Sequence, residues 1–337
     1  IGVSGLRAST LGNRVLPGLG WALGIMVALG GLVFNIGNIA GGGLGMNAML
    51  GLDPKIGGLL TAGIAILIFL WRAAGKAMDT VVVFLGFVMI ALMLYVAFIS
   101  GPPVGEVLKQ TVLPEAFDFF VVTTLIGGTV GGYITYSGAH RMVDTGITGV
   151  KNVRRISRSS VLGIITTGIM RYLLFLAILG VVVAGADLAG ETNQAAAAFQ
   201  FAAGEVGMRL FGIILWGAAI TSVIGAAFTS VSFITPQTAE PRTRNYVTVG
   251  FILFSAAVYM FLGQAPQTIL IVAGTVNGLI LPIGFTLILW VAWRRRDLMG
   301  DYKYPSWLLI LGVLSWLLTI YLGYNALGGI AQLWSAG

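Results

Sequence analysis

Glycines crowd one short segment of an otherwise apolar stretch, where residues 127–133 read GGTVGGY. The surrounding run, 119–139, is long enough to cross a hydrocarbon core of roughly 30 Å. Each glycine costs about 1 kcal/mol of helix propensity, so we expect the helix to break here. A broken helix is tolerated in a membrane only beside protein or a water-filled cavity, and such breaks form the midplane sites of transporters. The alternative is close helix packing through small residues.

The composition identifies the kind of protein that holds this segment. The chain is 57% hydrophobic and 9% charged, with a mean hydropathy of +0.95, which excludes a soluble globular domain. The apolar runs are long and continuous, as in an all-α membrane protein and unlike a β-barrel. The net charge of +7 lies in loops, so it indicates orientation in a lipid bilayer and not a nucleic-acid partner. The absence of cysteine excludes disulfides and thiolate metal sites.

Nine membrane spans are predicted, in one transmembrane domain covering residues 1–337. They are 19–50, 56–72, 78–100, 119–139, 160–185, 206–234, 245–263, 267–293 and 306–334. Fifteen of the nineteen basic residues fall in the N-terminal segment and alternate connections, against three on the other side. The positive-inside rule then places the N-terminal end in the cytoplasm and the C-terminus outside. We expect an inner-membrane protein of a prokaryotic cell, without a signal peptide and beginning part-way through a longer protein.

The acidic residues and the single histidine argue against several kinds of site. All twelve acids fall in loops or at span edges, so no proton relay, carboxylate pair or zinc site is expected at depth, and the chain is predicted not to be an enzyme. His140 lies at the end of its span and is expected to be solvated. Arg171 lies within a span, where it either faces an aqueous cavity or bonds backbone carbonyls, the second being favoured. The connection 101–118 is expected to be an acidic external loop.

Two further spans carry amides. Asn35 and Asn38 lie three apart on one face of the first span, where bonds to neighbouring helices are the favoured role. Asn277 and Pro282 interrupt the eighth span, and a proline frees a backbone carbonyl. The stretch from Gly274 through Thr275 to Asn277 is therefore a second candidate wall of a cavity.

These segments together resemble one family, the NRAMP divalent-metal transporters. Residues 128–136, with the basic loop behind them, are similar to the sixth helix of that family. Residues 35–52 resemble its third helix and the following turn, and Leu281-Pro282 resembles the "L-P" of its tenth. The resemblance spans nearly the whole chain and implies that two preceding helices are missing. It also implies the LeuT-type fold, built from inverted repeats.

The departures from the family pattern predict the substrate. The Met-Pro-His of the sixth helix reads Gly131-Gly132-Tyr133, so the soft sulfur ligand is lost. The glutamine of the tenth helix falls on Gly274, which predicts a roomier cavity. The acids of the family's proton route fall on Asn35 and Asn38, which cannot titrate. A wide site of oxygen donors suits a hard, hydrated cation such as Mg²⁺, as in the NRAMP-related magnesium transporters.

The leading hypothesis is alternating-access transport of a divalent cation, Mg²⁺ first and Mn²⁺ second, without a coupled proton and without a resident cofactor. The metal ligand is expected to be the backbone carbonyl of Gly128. The remaining candidate pathway residues are Gly131, Gly132, Tyr133, Gly274, Thr275, Asn277, Asn35 and Asn38. Two alternatives stay open: a transporter of a small organic solute such as an amino acid, or a non-transporting scaffold or accessory subunit. The sequence gives no prediction of oligomeric state.

Overall fold

The chain folds into helices packed around one long, glycine-rich helix. The computed structural model describes residues 1–130, 134–236, 239–262, 265–300 and 302–336, and no strand occurs in these ranges. Seven of the described helices are long and apolar enough to cross a membrane. The protein is therefore a multi-pass integral membrane protein, as its composition predicts.

Thirteen α-helices and one short 3₁₀ turn, Val150–Asn152, follow one another along the described chain. The α-helices are α1 (Ala8–Val15), α2 (Leu19–Leu50), α3 (Pro54–Leu70), α4 (Arg72–Ser100), α5 (Val104–Val112), α6 (Phe119–Val130), α7 (Ile134–Asp144), α8 (Val153–Val183), α9 (Gln194–Ile234), α10 (Pro241–Phe261), α11 (Pro266–Arg294), α12 (Arg296–Met299) and α13 (Ser306–Ala336).

The predicted spans all fall on apolar helices. The lengths of these helices do not establish how many of them cross the membrane. Two of the spans correspond to helices shorter than a full crossing, α3 with 17 residues and α6 with 12. The nine-span count therefore stays a prediction. Most other boundaries shift by a few residues, and α9 begins twelve residues before the predicted start at 206.

The loop prediction for 101–118 is wrong in one respect, because the segment contains helix α5. The helix starts directly after Pro103, has Glu106 in its first turn and Lys109 in its last. Negative charge at a helix N-terminus and positive charge at its C-terminus both complement the helix dipole.

Glycine allows α2 to serve as the central helix. At Gly45 a side chain would collide with the backbone of Trp216 in α9, and at Gly42 it would collide with Thr61 in α3. Backbones that approach this closely pack through small residues, as is usual between membrane helices. The run of glycines does not end the helix, which continues to Leu50.

The turn between α2 and α3 follows from local sequence. Gly51 has φ +71°, the left-handed conformation that ends many helices. Asp53 then caps α3, since its carboxylate accepts hydrogen bonds from the backbone N–H groups of Lys55 and Ile56 at 2.9 and 3.3 Å. Pro54 occupies the first helical position, where its missing N–H costs nothing.

Helix α9 contains a sharp bend that the sequence prediction lacked. Gly204 has φ 64° and ψ −164° inside the helix, a conformation that is essentially restricted to glycine. The bend separates the first turns of α9, starting at Gln194, from the predicted span. A side chain at Gly204 would strain the backbone although space is open around it.

Candidate functional site

The candidate site begins where α6 meets α11. A Cβ atom at Gly127 would sit on the carbonyl of Gly274 and against the backbone N–H of Gly278. Gly278 in turn faces the backbone carbonyl of Thr123. At Gly127 the glycine therefore serves close helix packing, which is the alternative role considered for the glycine-rich segment.

Gly128, the next residue, has a different environment. It is half-buried, and a Cβ atom there would meet nothing within 4 Å. Its backbone carbonyl accepts a hydrogen bond from Nη2 of Arg171 in α8 at 3.4 Å. Of the two roles expected for Arg171, the contact with a backbone carbonyl is the one observed, and the carbonyl is the predicted metal ligand.

Three predicted site residues, Gly131, Gly132 and Tyr133, lie outside the described residues. Helix α6 is described to Val130 and helix α7 from Ile134. The two helices have different neighbours: α6 packs on α11 and α13, whereas α7 packs on α9. The predicted break between them stays a prediction.

Gly274 and Thr275 belong to the packed contact between α6 and α11. A side chain at Gly274 would lie 2.9 Å from the carbonyl oxygen of Thr124. The hydroxyl oxygens of Thr275 and Thr124 are 2.5 Å apart. The extra space expected at Gly274 is therefore filled by α6, and the prediction of a roomier cavity is wrong at this position.

Asn277, three residues further along α11, carries an unsatisfied oxygen. Its side chain is fully buried, and its Nδ2 donates to the backbone carbonyls of Gly30 in α2 and Ala273, both at 3.0 Å. The Oδ1 atom has no hydrogen-bond partner among the described residues. A buried polar atom without a partner costs about 1–3 kcal/mol, so this oxygen is a candidate ligand for a group that enters from outside the protein.

The two asparagines of α2 are not equivalent. Asn35 is buried and its Nδ2 donates to the Ser255 hydroxyl in α10 at 3.1 Å. It therefore faces another helix and does not join the α6–α11 contact. Asn38 is 9% exposed, and its Nδ2 has no partner within the described part of the chain.

The structure thus brings three of the nine predicted residues together where α6 packs on α11, namely Gly128, Gly274 and Thr275. The side chain of Asn277 lies on the side of α11 that faces Gly30 of α2. Within the described ranges no group of three or more His, Asp or Glu side chains could hold a metal ion. The donor groups near this contact are neutral backbone and amide oxygens, which suit hard cations.

The prediction that His140 is solvated is wrong. Its side chain is 1% exposed: Nε2 accepts from the backbone N–H of Ala8 at 3.1 Å, and Nδ1 lies 3.1 Å from the Ser232 hydroxyl. Ser232 donates its proton to the carbonyl of Thr229, so Nδ1 carries the hydrogen and the ring is neutral. The ring also stacks on Phe233 at 4.4 Å between centroids.

Arg7 belongs to the same buried cluster, although the sequence indicated only an orienting charge. Its Nη1 donates to the backbone carbonyl of Ser232 at 3.0 Å, and its Nη2 donates to Asp144. These contacts join the segment before α1 to α7 and α9. No local pattern predicts them, because each joins residues more than ninety positions apart.

Comparison with known proteins agrees with this architecture. Residues 7–328 match the family model described as Nramp, natural resistance-associated macrophage protein-like. The chain belongs to the Nramp family. Such a match covers nearly all of the chain, so the resemblance drawn from a few motifs is confirmed at the level of the family.

Two bacterial relatives are similar over most of this Nramp chain. YcsG of Bacillus subtilis, an uncharacterized membrane protein, is 48% identical over 99% of the chain and 83% of its own length. An uncharacterized membrane protein of Haemophilus influenzae is 47% identical over 92% of the chain and 78% of its own length.

The fold is also similar to a solved structure, a mutant of a manganese transporter from Eremococcus coleocola. The TM-score is 0.69 at 19% identity, over 97% of this chain and 74% of that one. This Nramp protein therefore has the all-helical LeuT-type fold. Its membership of the Nramp family makes it a transporter and not an enzyme.

Proposed function

We propose that the protein transports divalent metal cations across a prokaryotic inner membrane by alternating access, with hydrated Mg²⁺ as the leading substrate and Mn²⁺ as the second. Membership of the Nramp family supports divalent metal transport. The preference for a hard cation rests on the ligands, since the motif that supplies a thioether in the family reads Gly131-Gly132-Tyr133 here.

The observation that carries the proposal is the buried Oδ1 of Asn277, which has no hydrogen-bond partner among the described residues. This oxygen and the backbone carbonyl of Gly128, which accepts only a long hydrogen bond from Arg171 among the described contacts, are neutral, hard donors on two helices that pack together. Mg²⁺ gives up its water reluctantly and keeps several water ligands. Two or three neutral oxygens fit such a partly hydrated ion better than a fully stripped one.

Arg171 must release Gly128 before a cation binds there. A guanidinium next to the ligand repels a divalent cation, but its hydrogen bond of 3.4 Å is long and therefore weak. We interpret the described conformation as one in which Arg171 occupies the place of the ion. The negative charge that the ion requires is expected from the two preceding helices that the family resemblance implies.

The cluster of Arg7, His140, Asp144 and Ser232 closes one end of this pathway in our proposal. It joins α1, α7 and α9 next to a core of large side chains that includes Tyr136, whose hydroxyl donates to the carbonyl of Gly284 at 2.6 Å. From the distribution of basic residues we infer that this end faces the cytoplasm and that the C-terminus lies outside. Alternating access would require α7 to separate from α9 here.

Transport without proton coupling follows from Asn35 and Asn38. Neither amide titrates, and they stand where the family resemblance places the acids of the proton route. Asn35 is tied to Ser255 instead. Asn38 has an unpartnered Nδ2, a donor that cannot bind a metal, so its role in the pathway is to hydrogen-bond water or an anion.

The test is ion flux into liposomes that contain the full-length protein, with a dye for Mg²⁺ or Mn²⁺ and a dye for luminal pH. We expect metal uptake without acidification of the lumen. Asn277→Ala should reduce uptake by roughly tenfold or more, because a contact worth about 1.4 kcal/mol changes affinity tenfold. Gly131→Trp should block it.

Asn325→Ala is the matched control, since Asn325 is an exposed amide whose one hydrogen bond within the described residues goes to the Tyr321 carbonyl of its own helix. It should leave uptake unchanged. Strict coupling of uptake to protons would contradict the role given to Asn35 and Asn38. Unchanged uptake in Asn277→Ala would remove Asn277 from the pathway.

One observation favours a second candidate, a small organic solute with a carboxylate. Arg171 presents a guanidinium at the open face of Gly128, and guanidinium groups bind carboxylates in bidentate pairs. Competition of metal uptake by amino acids separates the two candidates. No observation favours a non-transporting scaffold.

A further inference from the structure

A deep groove lies between α11 and α13, away from the candidate ion pathway. Its volume is about 1310 Å³. Its lining extends from Met299, Gly300, Tyr302, Lys303 and Tyr304, beside the short helix α12, to Trp316 on α13. The indole Nε1 of Trp316 donates to the carbonyl of Pro282 at 3.1 Å and to the Thr286 hydroxyl at 2.9 Å, which closes the inner end.

The depth of the groove matches one leaflet of a bilayer. On α13 its lining extends from Ser306 to Trp316, ten steps along a helix that rise about 15 Å. That is half of a hydrocarbon core of roughly 30 Å. A molecule that fills the groove would therefore reach from the membrane surface to near the midplane.

The walls and the mouth differ in chemistry. The inner walls are aliphatic and include Leu289, Val313 and Leu314. The mouth carries Arg296 and Lys303 among aromatic side chains. Aromatic and basic residues together mark the headgroup level of a membrane protein.

The two cations at the mouth, Arg296 and Lys303, have no ion-pair partner among the described residues. Arg295 differs, because it binds the Asp297 carboxylate at 2.8 and 2.9 Å and also donates to the carbonyl of Arg14. The side chains of Arg296 and Lys303 are both exposed.

We propose that this groove binds one anionic glycerophospholipid, with its phosphate at Arg296 and Lys303 and an acyl chain along Leu289 and Val313. A free phosphate would use only the mouth and leave the apolar depth unfilled. A neutral lipid would use only the walls. A basic mouth above apolar walls selects a lipid that carries negative charge. Basic pockets between membrane helices bind the headgroups of such lipids.

The test uses the full-length protein in mixed micelles and phospholipids with brominated acyl chains, which quench tryptophan fluorescence. Trp290, Trp293 and Trp316 line the groove and report its occupancy. Phosphatidylglycerol should quench at far lower concentration than phosphatidylcholine. In the double variant Arg296→Gln with Lys303→Gln the phosphatidylglycerol midpoint should rise by on the order of twenty-five-fold, since each surface charge contributes about fivefold.

Three controls make the test decisive. Arg154→Gln with Arg158→Gln removes two exposed charges of α8 outside the groove and should leave the midpoint unchanged. Val313→Phe, which narrows the apolar part but keeps both charges, should weaken quenching by phosphatidylglycerol. Inorganic phosphate should not compete with the lipid.

Equal midpoints for the two lipids in the wild-type protein would overturn the proposal, as would an unchanged midpoint in Arg296→Gln with Lys303→Gln. Competition by inorganic phosphate would show an ion site in place of a lipid site. Metal uptake by the same variants is a separate readout, so failure of this proposal is distinguishable from failure of the transport proposal.

Discussion

Arg7 and Asp144, 137 positions apart in the chain, form an ion pair with two contacts. Nη2 of Arg7 lies 2.7 Å from Oδ1 and 3.0 Å from Oδ2 of Asp144. The Arg7 side chain is only 3% exposed, whereas that of Asp144 is 22% exposed. The buried guanidinium of Arg7 therefore needs the carboxylate as its counter-charge, whereas the carboxylate of Asp144 also reaches water.

Removing the carboxylate should destabilise the protein more than removing the guanidinium. Asp144→Asn leaves a buried guanidinium without a counter-charge, which costs about 3 kcal/mol or more. Arg7→Met leaves a carboxylate that still reaches water, and we expect a loss of about 1.5 kcal/mol. Unfolding of both variants in detergent measures the difference.

An exposed ion pair is the matched control for this prediction. Arg209 and Glu205 form an i,i+4 pair in α9, with side chains 59% and 64% exposed. Glu205→Gln should change the unfolding free energy by less than about 1 kcal/mol, because exposed pairs are weak. If Asp144→Asn were as mild as Glu205→Gln, the buried pair would not hold the cluster together.

His140 should make the stability of the protein depend on pH. Burial and, to a smaller extent, nearby Arg7 lower its pKa from 6.5 to about 4, although Asp144 opposes the shift. Between these two pH values His140 is protonated in the unfolded state and neutral in the folded state. The stabilisation is fully present above pH 6.5 and is lost as the pH falls toward 4, by about 3 kcal/mol for this shift.

The measurement compares unfolding of the wild-type protein and of His140→Gln between pH 7.5 and 4. Glutamine does not titrate, so the wild-type protein should lose more stability than the variant over this interval. Subtracting the stability curve of the variant from that of the wild-type protein cancels the contribution of the other titrating groups, which both proteins share. Parallel curves would mean that His140 is protonated inside the fold.

The fold was largely predictable from the sequence, because hydropathy determines which segments enter a membrane. The positions of α2, α8 and α13 needed only long apolar runs. Features that depend on distant partners were not predictable. His140 contacts Ala8 of α1 and Ser232 of α9, and no local pattern associates these residues with it. The same holds for the contacts of Arg7 with α7 and α9.

The candidate site was predicted only in part, because some of its features depend on distant partners. The glycine-rich segment and Asn277 stand out locally: the described part of that segment lies where α6 meets α11, and Asn277 bonds Gly30 of α2 from α11. Whether a glycine packs or opens a cavity depends on the neighbouring helix, which the sequence does not reveal. Gly127 and Gly128, adjacent in sequence, have opposite environments.

That contrast gives a prediction with a built-in control. Gly127→Ala places a methyl group on the backbone of Gly274, and backbone cannot move aside as a flexible side chain can, so we expect a loss of about 1–3 kcal/mol. Gly128→Ala meets open space and should change stability by less than about 1 kcal/mol. Unfolding measurements on the two variants test the packing directly.

For metal uptake, in contrast to stability, we expect Gly128 to be the sensitive position. Gly128→Leu keeps the packed contact with α11 but fills the space beside the proposed ligand, so metal uptake should fall while stability is retained. Unchanged uptake in Gly128→Leu would show that the open side of Gly128 faces lipid and not the pathway.

Arg171 decides between the two candidate substrates. Arg171→Met removes the guanidinium from the carbonyl of Gly128 and keeps a side chain of similar length. If the protein carries a metal cation, loss of the positive charge should increase uptake, because a like charge close to the ligand opposes binding at any effective dielectric constant. If it carries a carboxylate, the same variant should lose transport of that solute.

Arg171→Lys is the control that separates charge from shape. Lysine keeps the charge but lacks the planar fork that binds a carboxylate bidentately. A metal transporter should therefore show wild-type uptake in Arg171→Lys and raised uptake in Arg171→Met, measured in liposomes at equal protein content. A carboxylate transporter should lose activity in both variants. Equal metal uptake by all three proteins would place Arg171 outside the pathway and remove the argument for an ion at Gly128.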